Sequence, residues 1–211
     1  MFYFFSEYLA PRMNVQSETA DKRKAILQTT LELIRQYGLQ GTPISLIAKN
    51  ANVAAGTIYH YFQNKEAIIS ELHNVIREEM LAAMFTEKNE GKDFRSQFFS
   101  GWTNLCRYFI ANPGSLIFIQ QYNSAPDFKG IKKKNNKIPV DKFSEFFQSG
   151  MDNGYLKKME YNLVASVVFG AIMATAKYHI SGRFDYTDGD LCKIATIIWD
   201  GIKLQGTKEK E

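Results

Sequence analysis

Apolar residues recur along this chain with a helical period. From Ser17 to Tyr37, Ile26, Leu27, Thr30, Leu31 and Ile34 fall at i, i+1, i+4, i+5 and i+8 and make one apolar face. Ser17 or Thr19 is placed to cap this helix and Gly38 to end it. Thr42-Pro43 restarts a helix, with Thr as N-cap and Pro at the first helical position. A longer helix is expected over Asn64–Phe85, and others over Phe94–Ala111, Gly114–Tyr122, Val140–Asn153, Tyr161–Ser181 and Asp188–Gln205. Pro113, the Pro126–Pro139 loop, Gly154 and the Gly182–Gly189 segment separate them. The polar patch EKNEGKD, Glu87–Asp93, reads as a linker. The expected class is all-α, with no repeat of solenoid length.

Thr42–Phe62 fits a helix-turn-helix position by position. The second helix of such a unit packs closely on the first, so one early position must be small, and Ala48 fills it. The turn needs a residue that tolerates positive φ. Asn52, four residues on, is among the cheapest choices after Gly. The positions around the turn are apolar: Ile47, Ala51, Val53, Ile58 and Tyr61. A unit of this kind presents its second helix to the major groove of DNA.

The flanks make the pattern specific. Ile26-Leu27, Tyr37-Gly38, Thr42, Ile44, Ile47-Ala48, Val53 and the string GTIYHYFQNKEAII from Gly56 resemble the TetR family of bacterial transcriptional regulators. The resemblance extends over the whole chain. Two positions depart from it: Asn52 stands where the family usually has Gly, and Ala54 where it usually has a capping Ser. The second loses a cap of typically ~1 kcal/mol. Neither change removes a DNA-contacting group.

The resemblance implies a DNA-binding domain over residues 17–68 and a ligand-binding and dimerisation domain over 69–211. Residues 1–16 are expected to be a flexible arm or a mis-called start, with Met13 as an alternative beginning. Thr57 lies early in the reading helix, where side chains reach base edges or phosphates. Tyr59 offers a phenol to a phosphate, and His60 a contact to base or phosphate; solvated surface is the alternative for each. Ala55 and Gly56 permit close backbone approach, and Ala can meet a thymine methyl. Lys65 sits at the mouth of the fourth helix, where a lysine opposes the helix dipole unless a phosphate docks beside it. Lys22, with Arg23 and Lys24, repeats that argument on the first helix, with a solvated basic cluster as the alternative. Thr42 is expected to cap the second helix and to donate to phosphate.

The C-terminal part is rich in rings. The resemblance implies a small-molecule effector there, largely apolar, and the candidate lining is Phe98, Trp102, Phe118, Gln121, Tyr122, Phe147 and Phe169. An ordinary helical core is the alternative for most of them. The helix over Leu163–Ile180 mixes small residues (Ala165, Ser166, Gly170, Ala171, Ala174, Ala176) with Val, Ile and Met, and Ile194, Ile197, Ile198, Trp199 and Ile202 line the last one; burial within the subunit is the alternative for part of this surface. Such faces fit a self-complementary four-helix homodimer interface. Lys129, Lys132, Lys133, Lys134 and Lys137 crowd one loop, as a solvated run or as an anion or second nucleic-acid contact.

The formal net charge of +4 permits nucleic-acid binding without requiring it. Cys106 and Cys192 lie in no CxxC, so neither zinc nor a disulfide framework is expected; both read as small packed residues. No apolar run is expected to span a bilayer. The three histidines have no metal-ligand spacing, and no GxSxG, Walker, HExxH or dinucleotide motif occurs. No catalytic residue, metal or cofactor is therefore expected, and no membrane partner. The sequence points to a cytoplasmic, ligand-responsive regulator, a repressor holding a palindromic operator. The alternative is a ligand-binding or scaffold protein of the same fold without specific DNA binding.

Overall fold

The computed structural model describes residues 15–86, 91–125 and 142–205, with side chains from residue 21 onward in those spans. The Lys129–Lys137 cluster, the Ser17 and Thr19 side chains and the first fourteen residues lie outside them. The helices are α1 (Val15–Tyr37), α2 (Ile44–Asn50), α3 (Ala55–Tyr61), α4 (Lys65–Met84), α5 (Phe94–Ala111), α6 (Pro113–Ser124), α7 (Lys142–Asp152), α8 (Tyr161–Ile180) and α9 (Asp188–Ile202). Extended pairing among the described residues is limited to an isolated bridge between Leu156 and Lys203. The protein is all-α. Two compact units divide it, Met1–Ile68 and Ile69–Glu211; α4 begins in the first and continues into the second.

In the first unit, Ile26, Leu27, Leu33 and Ile34 of α1 are buried together with Leu39, Ile47, Ala48, Ile58 and Phe62. Burying each large aliphatic side chain contributes roughly 1.5–3 kcal/mol, more than the marginal propensity of the two seven-residue helices can supply. Leu33 is on the core face where the sequence pattern placed Leu31, which is only half-buried. Gly38 ends α1 at φ 75°, and its N–H donates to Ile34 O at 2.9 Å.

In the second unit α5 packs against α6, α8 and α9. Asp93 caps α5 by accepting from Ser96 N at 2.9 Å. Thr187 and Asp190 form a capping box at the start of α9. Phe94, Phe98, Trp102 and Phe109 of α5, Phe118 and Tyr122 of α6, Phe143 and Phe147 of α7, and Trp199 of α9 are all buried. Gly150 admits the ring of Phe94, which a Cβ there would overlap, with Leu156 Cδ1 2.9 Å away.

Three expectations are corrected here. The last helix stops at Ile202 rather than Gln205, because Lys203 turns extended. Lys157 N then donates to Ile202 O at 2.9 Å, and Leu204 N to Tyr155 O at 3.0 Å. Cys106 is buried, but Cys192 is exposed. Finally, α8 is long and apolar enough to cross a bilayer by length and composition alone, with 28% of that span buried. Asn162, Ser166, Thr175 and His179 break up its apolar run without making it polar on average.

Candidate nucleic-acid interface

The turn between α2 and α3 is built by the backbone. Ala51 closes α2, and Asn52 adopts φ 53°. Val53 N donates to Ala48 O at 3.0 Å and Asn52 N to Lys49 O at 3.4 Å. This is the paired 6→1 and 5→2 bonding of a Schellman ending, which needs one left-handed residue. Among the described residues Asn52 is the one non-glycine at positive φ. The sharp reversal lets the short α3 bury Ile58 while turning its other side outward.

That outward side carries five of the expected contacts. Ala55, Gly56, Tyr59 and His60 are exposed and Thr57 is half-buried. Ala55 and Tyr59 are four apart, as are Gly56 and His60, so they form two adjacent ridges of one face. Tyr59 is 56% exposed. A Cβ at Gly56 would meet nothing within 4 Å, so the backbone there is open to a close approach. His60 sets its ring edge-on to Tyr61, centroids 5.2 Å apart. Ala54 stands at the α3 N-cap with no side-chain hydrogen bond, as its residue type requires.

The flanking residues divide. Lys22 is exposed on α1. Its neighbour Arg23 lies over the ring of buried Phe62, 5.2 Å from the centroid, so the basic cluster on α1 is partly an anchor. Asn64 caps α4, accepting from Ala67 N at 2.8 Å. Lys65 Nζ donates to Leu39 O at 2.7 Å, and partial burial lowers its pKa, with Glu66 opposing that shift. The ammonium therefore ties the start of α4 to the loop after α1 and keeps two further N–H donors. Thr42 corrects the expectation made for it. It is fully buried, its Oγ1 donates to Gly38 O at 2.8 Å, and the α2 N-cap is Pro43. It braces the loop from inside and does not lie at a surface that a phosphate can reach.

The seven candidate ligand residues lie in the second unit. Phe98, Trp102, Phe118, Tyr122 and Phe147 are buried, while Gln121 and Phe169 are half-buried. Phe118 stacks on Tyr122 at 5.8 Å, Tyr122 on His73 at 4.3 Å, and Phe169 meets Phe143 edge-on at 5.1 Å. Trp102 Nε1 is buried without a hydrogen-bond partner, alone in this among the side-chain atoms of the described residues. A groove of about 390 Å³ lies along α5, and none of the seven lines it. Sequence reasoning missed this groove. No cluster of His, Cys, Asp or Glu suited to a metal occurs among the described residues.

Residues 26–72 match the family described as bacterial regulatory proteins, tetR family. Residues 94–203, more than half of the chain, match the tetracyclin repressor-like C-terminal domain. An HTH-type transcriptional regulator of Haemophilus influenzae is 33% identical over 123 residues, 58% of this chain. That match spans 66% of the relative's own length, just under two thirds. A TetR family transcription regulator from Marinobacter aquaeolei superposes with a TM-score of 0.76 at 19% identity, over 90% of this chain and 100% of that one. The transcriptional regulator FadR from Bacillus subtilis, in complex with stearoyl-CoA, superposes with a TM-score of 0.63 at 22% identity, over 84% and 95%. At these identities the superpositions establish fold. The two family matches fall one in each unit, apart from residues 69–72 of α4, where the first match runs into the second unit, and the chain belongs to the tetR family of bacterial regulatory proteins.

Proposed function

We propose that the protein is a ligand-responsive, DNA-binding transcriptional repressor of the bacterial cytoplasm. A homodimer holds a palindromic operator and leaves it when a small molecule binds. The observation that carries this reading is the outward face of α3. Tyr59, His60, Thr57, Ala55 and Gly56 stand together on a short helix fixed by a Schellman turn, with Lys22 and Lys65 as flanking phosphate contacts. Each subunit places α3 in one of two successive major grooves, about 34 Å apart.

The dimer reading rests on α8 and α9. Leu163 and Val167 are 59% and 52% exposed, and Ile197 is 70% exposed. Gly170 and Gly201 open the same helices to close approach. Apolar faces of this size call for a partner, and a second copy supplies one that is self-complementary. The effector reading rests on the ring-lined core around Trp102. An unpartnered buried donor costs about 1–3 kcal/mol, and a largely apolar ligand carrying one acceptor removes that cost. Such a ligand acts by favouring a conformer that does not fit the operator, with coupling of typically ~1–3 kcal/mol. The continuous helix α4 is the covalent path for it.

The test is footprinting of DNA around the protein's own promoter with wild type and Tyr59→Ala. An inverted repeat protected by wild type, with protection lost in a variant that keeps its melting temperature and dimer, supports the reading. Protection lacking an inverted repeat, or no sequence-specific protection at all, overturns it. Stearoyl-CoA, the ligand of the Bacillus subtilis neighbour, is the first effector probe. Release of bound operator by it, weakened in Trp102→Phe, is the expected result.

A further inference from the structure

One side of α5 carries a run of polar groups that neither DNA binding nor the ring-lined core uses. Phe99, Ser100, Thr103, Asn104 and Arg107 follow one another at i, i+1, i+4, i+5 and i+8, and with Lys92 they line the groove of about 390 Å³. That volume lies within the range of small-molecule sites, roughly 300–1,000 Å³. Cys192 of α9 also lines it. Ile197 and Gly201 are exposed about 140° and 180° around that helix from Cys192, on another side from the groove.

The chemistry of the lining is one-sided. It offers a guanidinium, an ammonium, the three hydroxyls of Thr86, Ser100 and Thr103, and an amide, and no lining residue is a carboxylate. Arg107 is held from the rim by Asp188, Nη2 to Oδ1 at 2.7 Å and Nε to the same oxygen at 3.1 Å. Arg107 Nη1 also donates to Asn104 Oδ1 at 3.3 Å. The Arg107 and Asp188 side chains are 49% and 75% exposed, and exposed pairs of this kind contribute little. A phosphate dianion, which a guanidinium grips with two parallel hydrogen bonds, is the stronger partner. Eight residues of helix separate Phe99 from Arg107, about 12 Å at 1.5 Å per residue. The groove can therefore take a flat ring at one end and an anion at the other.

We propose that this groove binds a small phosphate ester carrying a ring. Its dianion lies on Arg107 and Lys92, the hydroxyls of Ser100 and Thr103 donate to its oxygens, and its ring lies against Phe99. Asp188 competes with the ligand for Arg107.

Phenyl phosphate titrated into the full-length protein by calorimetry tests this. Saturable binding with one site per chain is expected, and inorganic phosphate should bind more weakly at the same place. Arg107→Gln should weaken phenyl phosphate about tenfold or more, the size of one lost charge-assisted contact. Asp188→Asn should tighten it. Phe99→Leu should weaken phenyl phosphate and leave inorganic phosphate unchanged. Melting temperatures near wild type keep each comparison one of binding. Absence of saturable heat at millimolar phenyl phosphate overturns the proposal, as does binding that Arg107→Gln leaves intact. Loss of DNA affinity in Arg107→Gln, with phenyl phosphate displaced by duplex DNA, would assign the groove to a DNA backbone and overturn it as well.

Discussion

Ala54→Ser should firm up the reading helix, by an amount that follows from the structure. Ala54 occupies the α3 N-cap at φ −66° and ψ 148°, the extended geometry of a capping residue, but no side-chain hydrogen bond closes the helix. A serine there can accept from the N–H of Gly56, the Thr57 N–H already donating to Ala54 O at 2.9 Å, and the site is exposed, so packing does not change. The gain is about 1 kcal/mol. Since 1.4 kcal/mol is a factor of ten, local opening of α3 should become about fivefold rarer. Hydrogen exchange reads this at Phe62, whose N–H donates to Ile58 O at 2.8 Å. Its exchange should slow about fivefold while amides of α5 and α8 keep their rates. Operator affinity should rise by no more than the same factor. Unchanged exchange at Phe62, or equal slowing throughout the chain, would refute the argument that the missing cap leaves α3 less firmly held.

Leu163→Glu combined with Ile197→Glu should give a monomer in analytical ultracentrifugation with a retained helical spectrum, because both side chains are exposed within one chain; a persistent dimer locates the interface elsewhere. Gly150→Ala should lower unfolding free energy by about 1–3 kcal/mol in denaturant titration, because the new Cβ overlaps the Phe94 ring. The Asp93 carboxylate accepts from Ser96 Oγ at 2.6 Å and from Ser96 N at 2.9 Å, and these bonds hold its pKa below the usual carboxylate value. A depressed folded pKa means that the stability is present above the unfolded value, about pH 4, and is lost as pH falls through the folded one. Asp93→Ala should therefore melt lower than wild type at neutral pH, and the gap should close in acid.

The helix-turn-helix was legible because each of its requirements is local. A left-handed residue must follow α2 by a fixed count, and Asn52 is chemically suited to it. Thr42 was misread for an equally local reason. A threonine before proline can cap forward or bond backward, and the sequence does not say which. The structure settles it through Pro43, whose ψ of 158° starts α2 one residue later and leaves the Thr42 hydroxyl to Gly38 O. Leu33 replaced Leu31 on the core face because the two flank opposite edges of the Ile26, Leu27, Thr30 and Ile34 stripe, and periodicity alone does not choose between the edges.

Where the reading ran out, the deciding contacts are distant in sequence. The end of α9 is set by Tyr155 and Lys157, over forty residues earlier, which take up the backbone groups of Ile202 and Leu204. The groove needs Lys92, α5 and Cys192 together, and no periodicity within α5 tells which of its polar sides will be overhung. The helix α9 makes the difficulty concrete. Leu191, Ala195, Trp199 and Ile202 face the core, Ile197 and Gly201 face outward, and Cys192 borders the groove. At about 100° per residue these surfaces share fifteen positions. A helix with one buried stripe announces it by contrast with polar neighbours. A helix with a second apolar side loses that contrast, so its composition can be read as an interface while its rotation cannot. That is why Cys192 was assigned to the core when it stands at the lip of a charged groove.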